Sequence, residues 1–118
     1  MSSDVTIYHN PRCSKSRETL ALLQAHGVSP QVVLYLETPP DKATLQQLLS
    51  MLGMHSAREL MRHKEDLYKS LNLADTNLSE DALLDAMVTH PKLIERPIVV
   101  SHGQARIGRP PEQVLEIL

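Results

Sequence analysis

A β-rich run, a proline-bearing loop that ends in the chain's one cysteine, and a helical pattern follow one another at the start of the chain. Val5-Thr6-Ile7-Tyr8 carries the β-branched and aromatic residues that favour a strand. His9-Asn10-Pro11-Arg12 breaks it, because proline lacks a backbone donor and pushes the residue before it out of the helical region. From 14 to 26 the pattern is helical, with Leu20, Ala21 and Leu23 on one face and Gly27 as the stop. Gln31-Val32-Val33-Leu34-Tyr35-Leu36 is a nearly continuous apolar run, read as a strand buried on both faces and therefore central in its sheet. Strand, loop, helix and strand in this order make a compact β-α-β unit, whose crossover is right-handed and whose strands are parallel.

The middle of the chain is helical. Thr38-Pro39-Pro40-Asp41 reads as a helix start with proline in the first turn, and Leu45, Leu48, Leu49 and Leu52 form the apolar stripe up to Gly53. Ser56 is placed to cap a helix to about Arg62, a short one follows over 66–71, and Ser79 caps one carrying Leu83, Leu84, Met87 and Val88 that closes at His90-Pro91. Met51, Met54, Met61 and Met87 are read as core filler. Ile98-Val99-Val100 is the third strand, Gly103 a turn, and Ala105-Arg106-Ile107 the fourth strand. Pro110-Pro111-Glu112 opens a last helix with Val114, Leu115 and Leu118. The order predicts an α/β protein with a mixed four-stranded sheet. At 118 residues it is one domain, 1–118, with a helical insertion over about 41–91 between strands 2 and 3.

Twelve Lys and Arg against fourteen Asp and Glu give a net charge of −2, which argues against nucleic-acid binding by bulk charge. No apolar run reaches the length of a membrane span, and residues 1–4 show no secretory leader. One cysteine cannot form an internal disulfide, and a reducing cytoplasm is the expected location. The six histidines are scattered, without metal-ligand spacing.

Cys13 opens the first helix, where backbone N–H groups and the helix dipole favour a thiolate over a thiol. Arg12, Lys15 and Arg17 are cations close to it in sequence, and His9 lies near as a further donor. A free cysteine is often simply buried and inert. Loop position, helix start, neighbouring cations and nearby proline together favour the reactive reading. No second thiol exists, so any sulfur adduct on Cys13 needs an external thiol to resolve it. Thr19 stands six residues after Cys13, where a phosphatase-type loop places arginine. Arg62 ends a short helix, while Arg96 and Arg109 each precede a proline that restricts their backbone. Arg58 is expected to pair with a neighbouring carboxylate, and Glu37 is read as a strand-end residue.

Ile7-Tyr8-His9-Asn10-Pro11 with Cys13 and Ser16-Arg17 resembles the opening of the glutaredoxin-linked, glutathione-dependent arsenate reductase family. So do Tyr35-Leu36-Glu37-Thr38-Pro39-Pro40, Arg96-Pro97-Ile98-Val99-Val100 and Arg109-Pro110, and the similarity to the family's short bacterial branch spans essentially the whole chain. The resemblance implies a thioredoxin-like fold and a cytoplasmic oxidoreductase that reduces arsenate to arsenite. It implies Cys13 as nucleophile, His9 and Ser16 as the residues that tune its thiolate, and Arg62, Arg96 and Arg109 as the oxyanion ligands. Arg17 is a supporting residue, and Pro97 is the cis-proline beside the site. No tightly bound cofactor or metal is implied; glutathione is the co-substrate and glutaredoxin the protein partner. A general glutathione-dependent thiol-disulfide reductase is an alternative. So is a redox-sensing regulator that binds a protein partner, although Ser16 in place of a second cysteine denies it an internal disulfide.

Overall fold

The computed structural model describes residues 5–118; the reading of residues 1–4 as free of a leader lies outside them. The chain divides into two compact units, one running through Thr38 and resuming over Arg96–Leu118, the other Pro39–Glu95.

The first unit holds the whole sheet. Its strands are β1 (Thr6–Tyr8), β2 (Gln31–Val33), β3 (Ile98–Ser101) and β4 (Gln104–Ile107), in the order β2-β1-β3-β4. β1 pairs parallel with β2 and antiparallel with β3, and β3 pairs antiparallel with β4, so the sheet is mixed as expected. The helix α1 (Ser14–Ala25) connects the two parallel strands. Ile7, Leu23 and Val99, all fully buried, form a core with Val5, Val114 and Ile117.

Three sequence expectations are corrected in this unit. First, β2 is an edge strand and not a central one, and Val32 is 43% exposed. The apolar run is divided: only 31–33 pair with β1, and the chain then turns back, with Glu37 N and Thr38 N both donating to Leu34 O at 2.9 Å. Tyr35, 1% exposed, accounts for most of the burial that the run requires. Second, the buried face of α1 is Ser16, Thr19 and Leu23, while Ala21 is exposed and Leu20 half-buried. Third, the last segment is a 3-10 helix over Pro111–Ile117. Its buried residues Pro111, Val114 and Ile117 recur every third position, which a helix of three residues per turn lines up on one side. The expected stripe through Leu115 and Leu118 used the wider α period, and Leu118 is 40% exposed.

Gly108, just after β4, is a glycine for lack of room. A Cβ there would collide with the Thr19 Oγ1 and lie 2.9 Å from Pro97 Cγ and 3.1 Å from Thr19 Cγ2. Thr19 is fixed in turn, its hydroxyl donating to Lys15 O at 2.8 Å. Gly108→Ala is therefore expected to cost about 1–3 kcal/mol by overpacking, read as a fall in Tm. An unchanged Tm would mean that Thr19 moves aside freely.

The second unit is helical: α2 (Lys42–Leu52), a 3-10 turn at Ala57–Leu60, α3 (Asp66–Ser70), α4 (Glu80–Thr89) and a 3-10 turn at Pro91–Leu93. α2 begins after both prolines rather than on one, because Asp41 caps it by accepting from Thr44 N at 2.8 Å. Gly53 ends it in the left-handed region at φ 75°. Ser56 caps as expected, within a reciprocal capping box with Glu59, but the turn it starts is four residues of 3-10 helix. The Glu80 carboxylate accepts from Ser56 Oγ at 2.8 Å and Ala57 N at 2.6 Å, joining the start of α4 to that turn. Arg58 binds carbonyls, not a carboxylate: Nε donates to Leu73 O at 3.1 Å and Nη2 to Asp75 O at 2.8 Å. Among the described residues no helix is long and apolar enough to cross a membrane.

Candidate active site

β1 continues its pairing one residue past Tyr8, with His9 N donating to Val33 O at 2.9 Å. The loop then turns sharply. Cys13 N donates to Asn10 O at 3.0 Å, and Arg12 N donates to the Asn10 side-chain oxygen at 3.0 Å, an Asx turn. Arg17 reaches back from α1, its Nη1 donating to Pro11 O at 2.9 Å. These bonds leave Cys13 as the N-cap of α1, a free thiol only 8% exposed.

Ser16 is the fixed point beneath the loop. It is fully buried, its hydroxyl accepts from Asn10 N at 3.0 Å, and it lies 2.6 Å from His9 Nδ1. His9 is itself 6% exposed. Burial, followed by the positive charge of Arg17, holds its pKa below the ordinary imidazole value, so a neutral ring shares this bond. The polar face of α1 that broke the expected apolar stripe is thus the face that carries the loop.

The Cys13 thiol is pulled two ways. Burial pushes its pKa up, but this is outweighed by the Ser16 backbone N–H, the charge of Arg96, the Lys15 backbone N–H and a hydrogen bond from the Arg96 side chain. The sulfur makes no side-chain capping bond of ordinary geometry, yet the amides of the first helical turn still stabilise its charge. The net shift is downward. Arg109 is also close, with Nη2 3.7 Å from Cys13 Sγ and Nε donating to Arg96 O at 2.8 Å. Two arginines from the far end of the chain therefore converge on the sulfur. Arg96 Nε and Nη1 are buried with no hydrogen-bond partner among the described residues. The peptide bonds Arg96–Pro97 and Arg109–Pro110 are both cis.

The cations next to Cys13 in sequence act elsewhere. Lys15 pairs with Glu18 at 3.8 Å, Arg12 is exposed, and Arg17 holds the Pro11 carbonyl. Arg62 belongs to the helical unit, where it is ion-paired with Glu65 and lies 3.7 Å from Glu95. Its backbone N donates to Leu93 O at 2.7 Å. Sequence reasoning missed Asn10, Thr19 and Gly108. The Asx-turn pattern could have found Asn10; a close approach between distant segments leaves no local trace at the other two. Among the described residues no cluster of His, Cys, Asp or Glu could hold a metal ion.

The thiol is expected to titrate below its ordinary value, followed by thiolate absorbance against pH. The fold favours the deprotonated form, so the thiolate persists to lower pH than in an ordinary thiol and is lost as pH falls through the lowered pKa. A midpoint at or above the ordinary thiol value would refute this account of the site.

A mixed sheet with a free cysteine at the start of the helix after β1, and an arginine–cis-proline step ahead of β3, defines a thioredoxin-like α/β protein. The chain belongs to the ArsC family, whose pattern matches residues 8–117. It is 74% identical over 118 residues to the "Uncharacterized protein YfgD" of Escherichia coli K12, covering 100% of this chain and 99% of that one. It is 54% identical over 114 residues to the arsenate reductase of Haemophilus influenzae, covering 97% and 98%. The solved structure of the arsenate reductase from Vibrio cholerae superposes with a TM-score of 0.95 at 66% identity over 97% of each chain.

Proposed function

We propose that this protein reduces arsenate to arsenite in the cytoplasm, with Cys13 as nucleophile and glutathione and glutaredoxin as the electron source. The observation that carries the reading is the buried Cys13 thiol, its pKa lowered, with the guanidinium groups of Arg96 and Arg109 at the sulfur. Thiolate and arsenate are both anionic and meet only where cations compensate. Planar guanidinium forks suit a tetrahedral oxyanion. Arg96 and Arg109 bind the oxyanion. His9 and Ser16 hold the loop and the first helical turn so that the amides stay aimed at the sulfur. Relatives that carry the name arsenate reductase, at about half identity over nearly their full length, support the substrate.

In this reading the Cys13 thiolate attacks As(V) and a hydroxide leaves as water, forming an S–As bond. A glutathione thiol adds to the arsenic as a second water leaves. A glutaredoxin thiolate then attacks the glutathione sulfur. The S–As electron pair stays on arsenic, giving As(III) and a glutaredoxin–glutathione disulfide. Hydrolysis of the Cys13–As(III) bond releases arsenite and restores the thiol. The absence of a second cysteine in the chain is what requires the outside thiols.

The test is arsenate-dependent NADPH oxidation coupled through glutathione reductase, glutathione and glutaredoxin. Turnover that needs all of these components is expected. No turnover with the complete set would remove arsenate reduction as the function, and turnover without glutaredoxin would remove that partner.

A further inference from the structure

Beside the Cys13 loop, within the sheet unit, lies a groove of about 340 Å³. That is the size range of small-molecule sites. Its wall is the loop that precedes the cysteine, His9 to Arg12, and its other side is the turn after β2. Leu34 and Leu36 supply apolar surface, and Leu36 is 39% exposed. Two opposite charges border that surface: the Arg12 guanidinium and the Glu37 carboxylate, both on exposed residues and neither used by a hydrogen bond or ion pair among the described residues.

We propose that this groove, formed by Asn10, Arg12, Leu34, Leu36 and Glu37, is the binding site for a zwitterionic peptide thiol of the glutathione class. The inference rests on the function proposed above, which requires an outside thiol but gives it no place on the protein. The chemistry of the lining matches such a ligand. A peptide carboxylate pairs with Arg12, an α-ammonium pairs with Glu37, and the body of the peptide covers the two leucines. Arg12 immediately precedes Cys13, so a tripeptide seated here lies against the loop that ends at the reacting residue. β2, which leads into the turn that lines the groove, is the edge strand of the sheet among the described residues, the kind of element an extended peptide recognises. The edge position of β2 and the exposure of Leu36, anomalies if that run were a central strand, are what open the groove.

The experiment uses S-methylglutathione, which cannot react, on the wild-type protein, with amide chemical shifts as readout, alongside steady-state kinetics of Arg12→Glu and Glu37→Lys. Both side chains are exposed, so neither change threatens folding. Shifts centred on Asn10, Arg12, Leu36 and Glu37 are expected. KM for glutathione is expected to rise about tenfold in each variant, the size of one lost charge pair, and KM for arsenate to rise much less. Saturable glutathione-dependent turnover whose KM is untouched by both variants would overturn the site and leave the function standing. Binding in the groove with no arsenate turnover would uphold the site and overturn the function. Shifts confined to other surfaces would overturn the site outright.

Discussion

Cys13→Ser is expected to reduce arsenate-dependent turnover to background, a loss of more than ~10³-fold, because a nucleophile acting with its surroundings as a unit leaves little residual rate when removed. The protein itself should remain folded and become no less stable. Cys13 is the N-cap of α1 and makes no side-chain capping bond there. Serine is among the preferred N-cap residues, and its hydroxyl oxygen accepts from the first-turn amides at ordinary length, a gain of up to about 1 kcal/mol. The substitution thus separates two roles that are usually confounded: the sulfur is lost and the cap is improved. The coupled assay and a thermal melt, run together, check both parts. Retained turnover would place the nucleophile elsewhere. Lost turnover with a raised or unchanged Tm assigns the chemistry to the sulfur alone.

What the sequence discloses here follows the range of the forces involved. The caps at Ser56 and Ser79 and the stop at Gly53 are settled by hydrogen bonds and backbone preferences within a few residues, and they are where the pattern places them. The β-α-β opening with Cys13 at the start of α1 is legible for the same reason. The position of β2 is not, because an apolar run states how much surface must be covered and not which neighbour covers it; Tyr35 takes up that demand inside a turn. The last helix misleads by its spacing, since Val114 and Leu115 fit an α stripe while Pro111, Val114 and Ile117 fit the 3-10 face that is buried.

The electrostatics of the cysteine are the least legible part. Arg12, Lys15 and Arg17 are its neighbours in sequence, but side chains on a loop and a helix turn outward in different directions, and these three serve the loop, a helical ion pair and solvent. Arg109, 96 positions away, is the residue 3.7 Å from the sulfur. A proline after each of Arg96 and Arg109 marked them as held in place; the pattern could not say where they are held. Gly108 completes that arrangement, since its N–H donates to Pro97 O at 2.9 Å and its missing side chain lets β4 and Arg109 close against Thr19 and Pro97.

Arg96→Met is expected to separate function from stability most sharply. Removal of one well-placed donor to a developing oxyanion costs on the order of 10²–10³ in rate. Arg96 also contributes charge and a hydrogen bond to the Cys13 thiolate, so the same substitution should raise the thiol pKa toward its ordinary value. Activity at neutral pH therefore falls for two reasons, and the part due to the thiol is recovered as pH rises. Stability should not fall with it. Arg96 Nε and Nη1 are buried without a partner among the described residues, and a buried donor left unpaired costs free energy that an apolar side chain of similar length does not. The Arg96 carbonyl, which accepts from Arg109 Nε, is untouched by the change. Arg58 is the contrast: its guanidinium satisfies the carbonyls of Leu73 and Asp75, and Arg58→Met should lower stability by about 1–3 kcal/mol. An Arg96→Met protein that melts as far below the wild type as Arg58→Met does would make Arg96 a structural residue. One that melts at or above the wild-type temperature, with arsenate turnover lost and the thiol pKa raised, shows an arginine kept in the fold at the expense of stability because the anion needs it.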